Sequence, residues 1–132
     1  MFYELMLYIH LLGIIGWAGL STGAYYLIEF MKLTDSSILV AYRKLVFIEI
    51  ISLFVTALSG AYMWMELGFP RWAYYAFIIS PFILFLEFYH YRLTYRGVVE
   101  FRRRMRFVSV LYILVTLFLF YVMIFKPEFF HV

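Results

Sequence analysis

An uncharged run of 24 residues, from Leu5 to Ile28, constrains this chain more than any other stretch. A helix needs about 20 consecutive apolar residues to cross a bilayer, so the run can span with some tilt. One imidazole, His10, sits inside it. Residues at i, i+3 and i+7 of a helix lie nearly in line, so His10, Gly13 and Trp17 share a face. A polar ring beside a missing side chain and an aromatic plate makes a wall for a flat buried ligand. Haem is the first candidate, because neutral imidazole is a common axial ligand. The competing reading is packing, with His10 bonded to a neighbouring helix and the glycines letting backbones approach.

Composition extends the membrane reading to the whole chain. Of the 132 residues 67% are hydrophobic, against roughly 45–50% in soluble domains. Four segments, about 5–29, 45–65, 72–92 and 107–125, predict an all-α four-helix transmembrane bundle. Helix is expected throughout because lipid leaves an open chain no other way to satisfy its backbone. Residues 1–132 are then a single membrane domain with no room for a soluble one. The first run has no Lys or Arg before it and is too long for the core of a cleavable signal peptide. Absence of cysteine excludes disulfides, iron–sulfur clusters, thiolate zinc sites and covalent c-type haem, but not haem held by His or Met. No phosphate loop, nucleophile elbow or Ser/His/Asp set is present.

Charge placement sets the expected orientation. Lys32, Arg43, Lys44, Arg92, Arg96, Arg102, Arg103, Arg104 and Arg106 fall in or beside the first and third links, while the other side holds Arg71 and Lys126. The positive-inside rule then gives an up-down-up-down bundle with both termini outside and both basic loops cytoplasmic, in a prokaryotic-type cytoplasmic membrane. The run Arg102–Arg106, beside a span, reads as an anchor to anionic lipid rather than a nucleic-acid patch.

Depth separates the two intramembrane histidines. At 1.5 Å per residue His10 lies ~10 Å below the outer surface and His90 ~27 Å, so one haem iron cannot take both. Gly60 is level with His10, and Met63 or Met65 just above it is a candidate second axial ligand that would raise a haem potential; the alternative role for the methionines is gap filling. Arg71 and Lys126 are placed for haem propionates. Near the inner face Glu29, Glu49, Glu87 and His90 share a depth. Glu87 and His90 have the Glu-x-x-His spacing of di-iron carboxylate bundles, in one copy where such bundles use two. These groups define a separate candidate metal or proton site; the competing reading pairs the carboxylates with Lys32, Arg43, Lys44 or Arg92. Ser80-Pro81 is expected to kink the third span and free a carbonyl.

Taken in order, several short motifs resemble a known group. They are His10 and Trp17 with Gly19-Leu20, then Arg43-Lys44-Leu45 and Gly60, then Trp72 and Tyr89-His90, and finally Arg106 and Lys126-Pro127. This order resembles the HemJ-type protoporphyrinogen oxidases and the wider CopD-like group of small four-helix membrane proteins, over nearly the whole chain. The resemblance implies a haem b held by His10. It also implies an oxidoreductase that converts protoporphyrinogen IX to protoporphyrin IX and passes electrons to quinone or another membrane acceptor. The chain departs from the family where Leu20-Ser21-Thr22-Gly23 stands for a Leu-Pro-Arg segment. It departs again where Ala76 or Ile79 stands for a lysine, and where Val110 to Tyr112 stands for Asn-Glu-Ile-Pro. The departures touch the oxidase reaction more than the haem ligand.

Three functions follow. The first is a haem b redox protein built on His10, Gly13, Trp17, Gly60 and Arg71 or Lys126. The second is a non-catalytic subunit or assembly partner, in a homo-oligomer or larger membrane complex, docking through the Gly16/Gly19/Gly23 edge. The third is CopD-like transport of copper or another cation through Met63 and Met65, ligands that soft metals favour.

Overall fold

A break at Gly19 divides the first uncharged run into α1 (Phe2–Ala18) and α2 (Leu20–Phe30). Glycine is the poorest helix former after proline, and here φ widens to −106° while the hydrogen bonds to Ile15 O and from Gly23 N, both 3.0 Å, carry the helix through the distortion. In this computed structural model, which describes residues 1–126, α3 (Ile38–Glu66) follows. A 3-10 turn (Arg71–Ala73), α4 (Tyr74–Leu93) and α5 (Val98–Phe125) complete the chain, and no strand occurs among the described residues. Three helical stretches are long and apolar enough to cross a membrane: Phe2–Phe30 taken across the break, Arg71–Leu93 and Val98–Phe125. Their outer faces carry Ile15, Leu27, Phe85, Phe88, Leu117 and Ile124, all well exposed, the surface expected where the solvent is lipid.

The helices outrun the segments expected from hydropathy. Arg43 and Lys44 lie on α3, and Arg102–Arg106 lie on the first turns of α5 rather than in a link. The basic residues are good helix formers, and Glu100 pairs with Arg103 at i+3 (2.8 Å) and with Arg104 at i+4. Gly97, at φ +86°, turns the chain into α5 from a conformation that side chains with a Cβ rarely adopt. Before α3, Asp35 accepts the Ser37 backbone N–H at 3.0 Å, which holds its carboxyl below the ordinary value. Pro81 sits inside α4 without ending it, and Ser80 donates to the Ala76 carbonyl at 2.8 Å.

α1 packs closely on α3. A Cβ at Gly13 would come within 3.1 Å of Ser52 O and Thr56 N, and one at Gly16 within 2.9 Å of Ser52 Cβ. Gly23 faces open space. The Gly16/Gly19/Gly23 edge is therefore divided between an internal contact, the helix break and an open surface. Gly13→Val is expected to destabilise the fold by about 1–3 kcal/mol through overpacking, seen as a lower melting temperature in detergent. Gly23→Ala should leave it unchanged or higher. At one end of the bundle the rings of Phe2 and Tyr62 meet at 5.2 Å, and Lys126 Nζ lies 5.5 Å from the Trp72 ring. At the other, Glu29 accepts from Arg102 at 3.4 Å and Arg106 at 3.0 Å, and Arg43 donates to Thr94 at 3.0 Å.

Candidate metal centre

Every main helix sends a polar side chain to one buried cluster. Glu87 and His90 lie at i and i+3 on α4, and Tyr42 and Glu49 at i and i+7 on α3, so each pair shares a helix face. Trp17 comes from α1, Ser21 from α2 and Tyr112 from α5. Glu49 and His90 are fully buried and Glu87 is 1% exposed. Tyr112 stands 14 residues from the start of α5 and 13 from its end, so the cluster sits near the middle of that helix.

His90 is held from both ring nitrogens. Its Nε2 lies 2.6 Å from the Tyr42 hydroxyl; its Nδ1 lies 3.2 Å from Glu49 Oε2 and 3.1 Å from the Tyr112 hydroxyl. With Nε2–H donated to the Tyr42 oxygen, the Nδ1 lone pair faces the carboxylates. A partner on the far nitrogen of this kind fixes tautomer and ring orientation in metal-binding histidines.

The carboxylates are short of donors. Trp17 Nε1 donates to Glu87 Oε1 at 2.7 Å, and the Ser21 hydroxyl donates to Glu49 Oε1. The single Tyr112 proton serves either His90 Nδ1 or Glu49 Oε2, the latter at 3.3 Å. Glu87 Oε2 is buried with no hydrogen-bond partner among the described residues. No Lys or Arg pairs with either acid there, because the nearby guanidinium groups are taken by Glu29 and Glu100. Burying charge without a partner is costly, so the group calls for a cation, whether protons or a metal ion. One ligand atom each from Glu49, Glu87 and His90 lie within 4.8 Å of one another. Three ligand atoms on one tetrahedral first-row divalent ion stand about 3.5 Å apart, at roughly 2.1 Å per bond. A small inward shift closes the difference, with Tyr112 oxygen nearby as a fourth donor.

The expected pairing of these acids with Lys32, Arg43, Lys44 or Arg92 does not occur for Glu49 and Glu87. Glu29 does pair at the rim, but with Arg102 and Arg106. Burial separates the two situations: Glu29 is within reach of long basic side chains on α5, whereas the other two acids lie deeper. Sequence reasoning also missed Tyr42, Ser21 and Tyr112. The seven-residue step from Tyr42 to Glu49 was the available signal.

The residues expected around a haem are dispersed or already engaged. His10 donates Nδ1–H to the Thr56 carbonyl at 2.9 Å, with Ser59 Oγ at 3.2 Å. A Cβ at Gly60 would meet His10 Cε1 at 3.0 Å, so the His10 ring itself occupies the gap at Gly60, and Ser52 and Thr56 occupy the one at Gly13. Trp17 turns its indole N–H to Glu87 rather than facing a slot beside His10. Met63 is buried, whereas Met65 is 58% exposed, so the two thioethers do not converge. Arg71 begins the 3-10 turn and Lys126 covers the Trp72 ring. Pro127, which closes the last motif, lies outside the described residues.

Comparison of the chain with family models, curated proteins and solved structures finds no match in any of the three.

Proposed function

We propose that this chain is an integral membrane protein that binds one divalent first-row metal cation between Glu49, Glu87 and His90, and that handling this cation within the bilayer is its role. The observation that carries the reading is Glu87 Oε2, buried beside a second acid and without a hydrogen-bond partner, Lys or Arg among the described residues. Two carboxylates with one imidazole suit manganese, iron or zinc better than a soft monovalent ion, which favours thiolates and thioethers. Ionisable groups at membrane depth mark ion sites more often than they mark packing. This supports cation transport over the other two functions. A fourth crossing by α3 is supported by its uncharged stretch between Glu49 and Glu66. Grouping of the basic residues at one end supports an up-down-up-down path with both termini on the opposite side, and basic loops in the cytoplasm.

The test is stoichiometry. Protein purified in detergent, stripped with chelator and dialysed against Mn²⁺, Fe²⁺ or Zn²⁺, is expected to retain about one ion per chain. Glu49→Gln with His90→Gln should retain none. Equal metal content in the variant and the parent would sink the assignment.

A haem b at His10, serving electron transfer or an oxidase reaction, is the second reading. One observation favours it: with Nδ1–H given to the Thr56 carbonyl, the Nε2 lone pair is left for iron. The filled spaces at Gly13 and Gly60 count against a macrocycle between α1 and α3. On this reading the purified protein has a Soret band that His10→Ala abolishes. A colourless parent protein rules it out.

A further inference from the structure

Three atoms of the buried centre form a nearly equilateral triangle. His90 Nδ1 lies 3.2 Å from Glu49 Oε2 and 3.1 Å from the Tyr112 hydroxyl, and that hydroxyl lies 3.3 Å from the same Glu49 oxygen. An ion about 2.1 Å from each corner subtends roughly 100° between them, intermediate between octahedral and tetrahedral angles. Glu87, one of whose oxygens has no partner among the described residues, supplies a further ligand atom. We propose that Tyr112 binds the metal directly through its phenolate oxygen, and that the ion held by these four residues is iron. The inference rests on the metal reading above and adds a ligand and the identity of the ion.

Hydrogen bonding alone does not account for the triangle. With the His90 Nε2–H given to Tyr42, its corners are a nitrogen lone pair, a carboxylate oxygen and a phenol, so one proton serves three edges. The remaining edges set acceptor against acceptor among buried side chains, which a cation relieves. Tyr112 is held there by its ring, edge-on to Trp17 at 6.4 Å and to His90 at 5.3 Å. Tyr42 is not equivalent. Its hydroxyl sits on the far nitrogen, Nε2, where it orients the imidazole but cannot share an ion with Nδ1. Charge then selects the metal. A phenolate and two carboxylates neutralise a ferric ion where no Lys or Arg pairs with Glu49 or Glu87 among the described residues. With the phenol neutral, the two carboxylates match Fe²⁺, so the set serves both common states of iron. Zinc has no second state, and copper(I) prefers the sulfur donors that this set lacks.

A phenolate on ferric iron absorbs visible light by charge transfer from oxygen to metal, which a carboxylate or an imidazole on the same ion does not. The chelator-treated protein in detergent is loaded with Fe²⁺ in the absence of oxygen and oxidised with ferrocenium. The oxidant takes one electron from each iron and leaves as ferrocene, and the phenol proton passes to the buffer as the oxygen–iron bond forms. A visible band is expected in the parent and in Tyr42→Phe, and its complete loss in Tyr112→Phe. Tyr112→Phe should still retain Zn²⁺ at the parent's stoichiometry, which shows that it folds. Resonance enhancement of phenolate ring vibrations within the parent band assigns it to tyrosine even where Tyr112→Phe fails to fold, and its persistence in Tyr42→Phe then leaves Tyr112 as the source. If the parent holds iron but is colourless, or the band survives Tyr112→Phe, the phenolate ligand is overturned and the centre stands. If the parent retains Zn²⁺ but no iron, the identity of the ion is overturned and the centre again stands. If the parent retains neither, both fall.

Discussion

Glu87→Gln is expected to raise the unfolding temperature of the metal-free protein and, in the same molecule, to weaken divalent-metal binding by about 100-fold or more. Trp17 Nε1 donates to Glu87 Oε1, and a glutamine carbonyl keeps that bond. The amide nitrogen takes the place of Oε2, the one buried side-chain oxygen without a partner among the described residues. The amide puts a donor beside the Glu49 carboxylate, and one of two neighbouring buried acids is gone. An unsatisfied buried polar group costs about 1–3 kcal/mol, so the gain is of that order. The metal moves the balance the other way. A ligand that binds only the folded state at 100 times its Kd adds about 2.7 kcal/mol to the parent, and the variant forfeits most of it. Thermal unfolding in detergent, with and without saturating Mn²⁺ or Zn²⁺, should therefore give curves that exchange order. A variant that melts lower under both conditions would show that Glu87 is already satisfied without a cation.

How much of this was legible before the coordinates depends on the kind of information each feature needs. Helical faces are local, so the step from Glu87 to His90 could be read from spacing, and Glu49 could be added by counting depth. Which helix a face meets is not local. His10, Gly13 and Trp17 do share a face, but its gaps are filled by Ser52 and Thr56, two small polar residues of α3 whose role no single-helix pattern reveals. Trp17 then passes beyond that contact to Glu87 on α4. The polar supports were hidden for a different reason. In a chain with 13 tyrosines, nothing distinguishes Tyr42 and Tyr112 from interfacial phenols until their hydroxyls are seen against one imidazole. Helix ends were misjudged at the basic side because hydropathy marks the edge of the oil, whereas Arg102–Arg106 continue the helix past it on their own propensity and pairing.

His90→Ala is expected to be the most damaging single change in the cluster, costing ~3–5 kcal/mol in the metal-free protein. Within the cluster the imidazole reaches from α4 to α3 through the Tyr42 hydroxyl and to α5 through the Tyr112 hydroxyl. Its removal leaves a void among fully buried side chains and strips partners from two phenols at once, so cavity and desolvation costs add. Tyr42→Phe removes one neutral hydrogen bond and should cost about 1 kcal/mol. Because Tyr42 and His90 touch, the double variant should fall short of the sum by roughly 0.5–3 kcal/mol. Denaturant unfolding of the chelator-treated protein measures all three. The informative comparison is with Glu87→Gln, one helical turn away on the same face of α4. A network kept only for packing loses stability at both positions, whereas a centre shaped around an absent positive charge loses it at the imidazole and gains it at the acid.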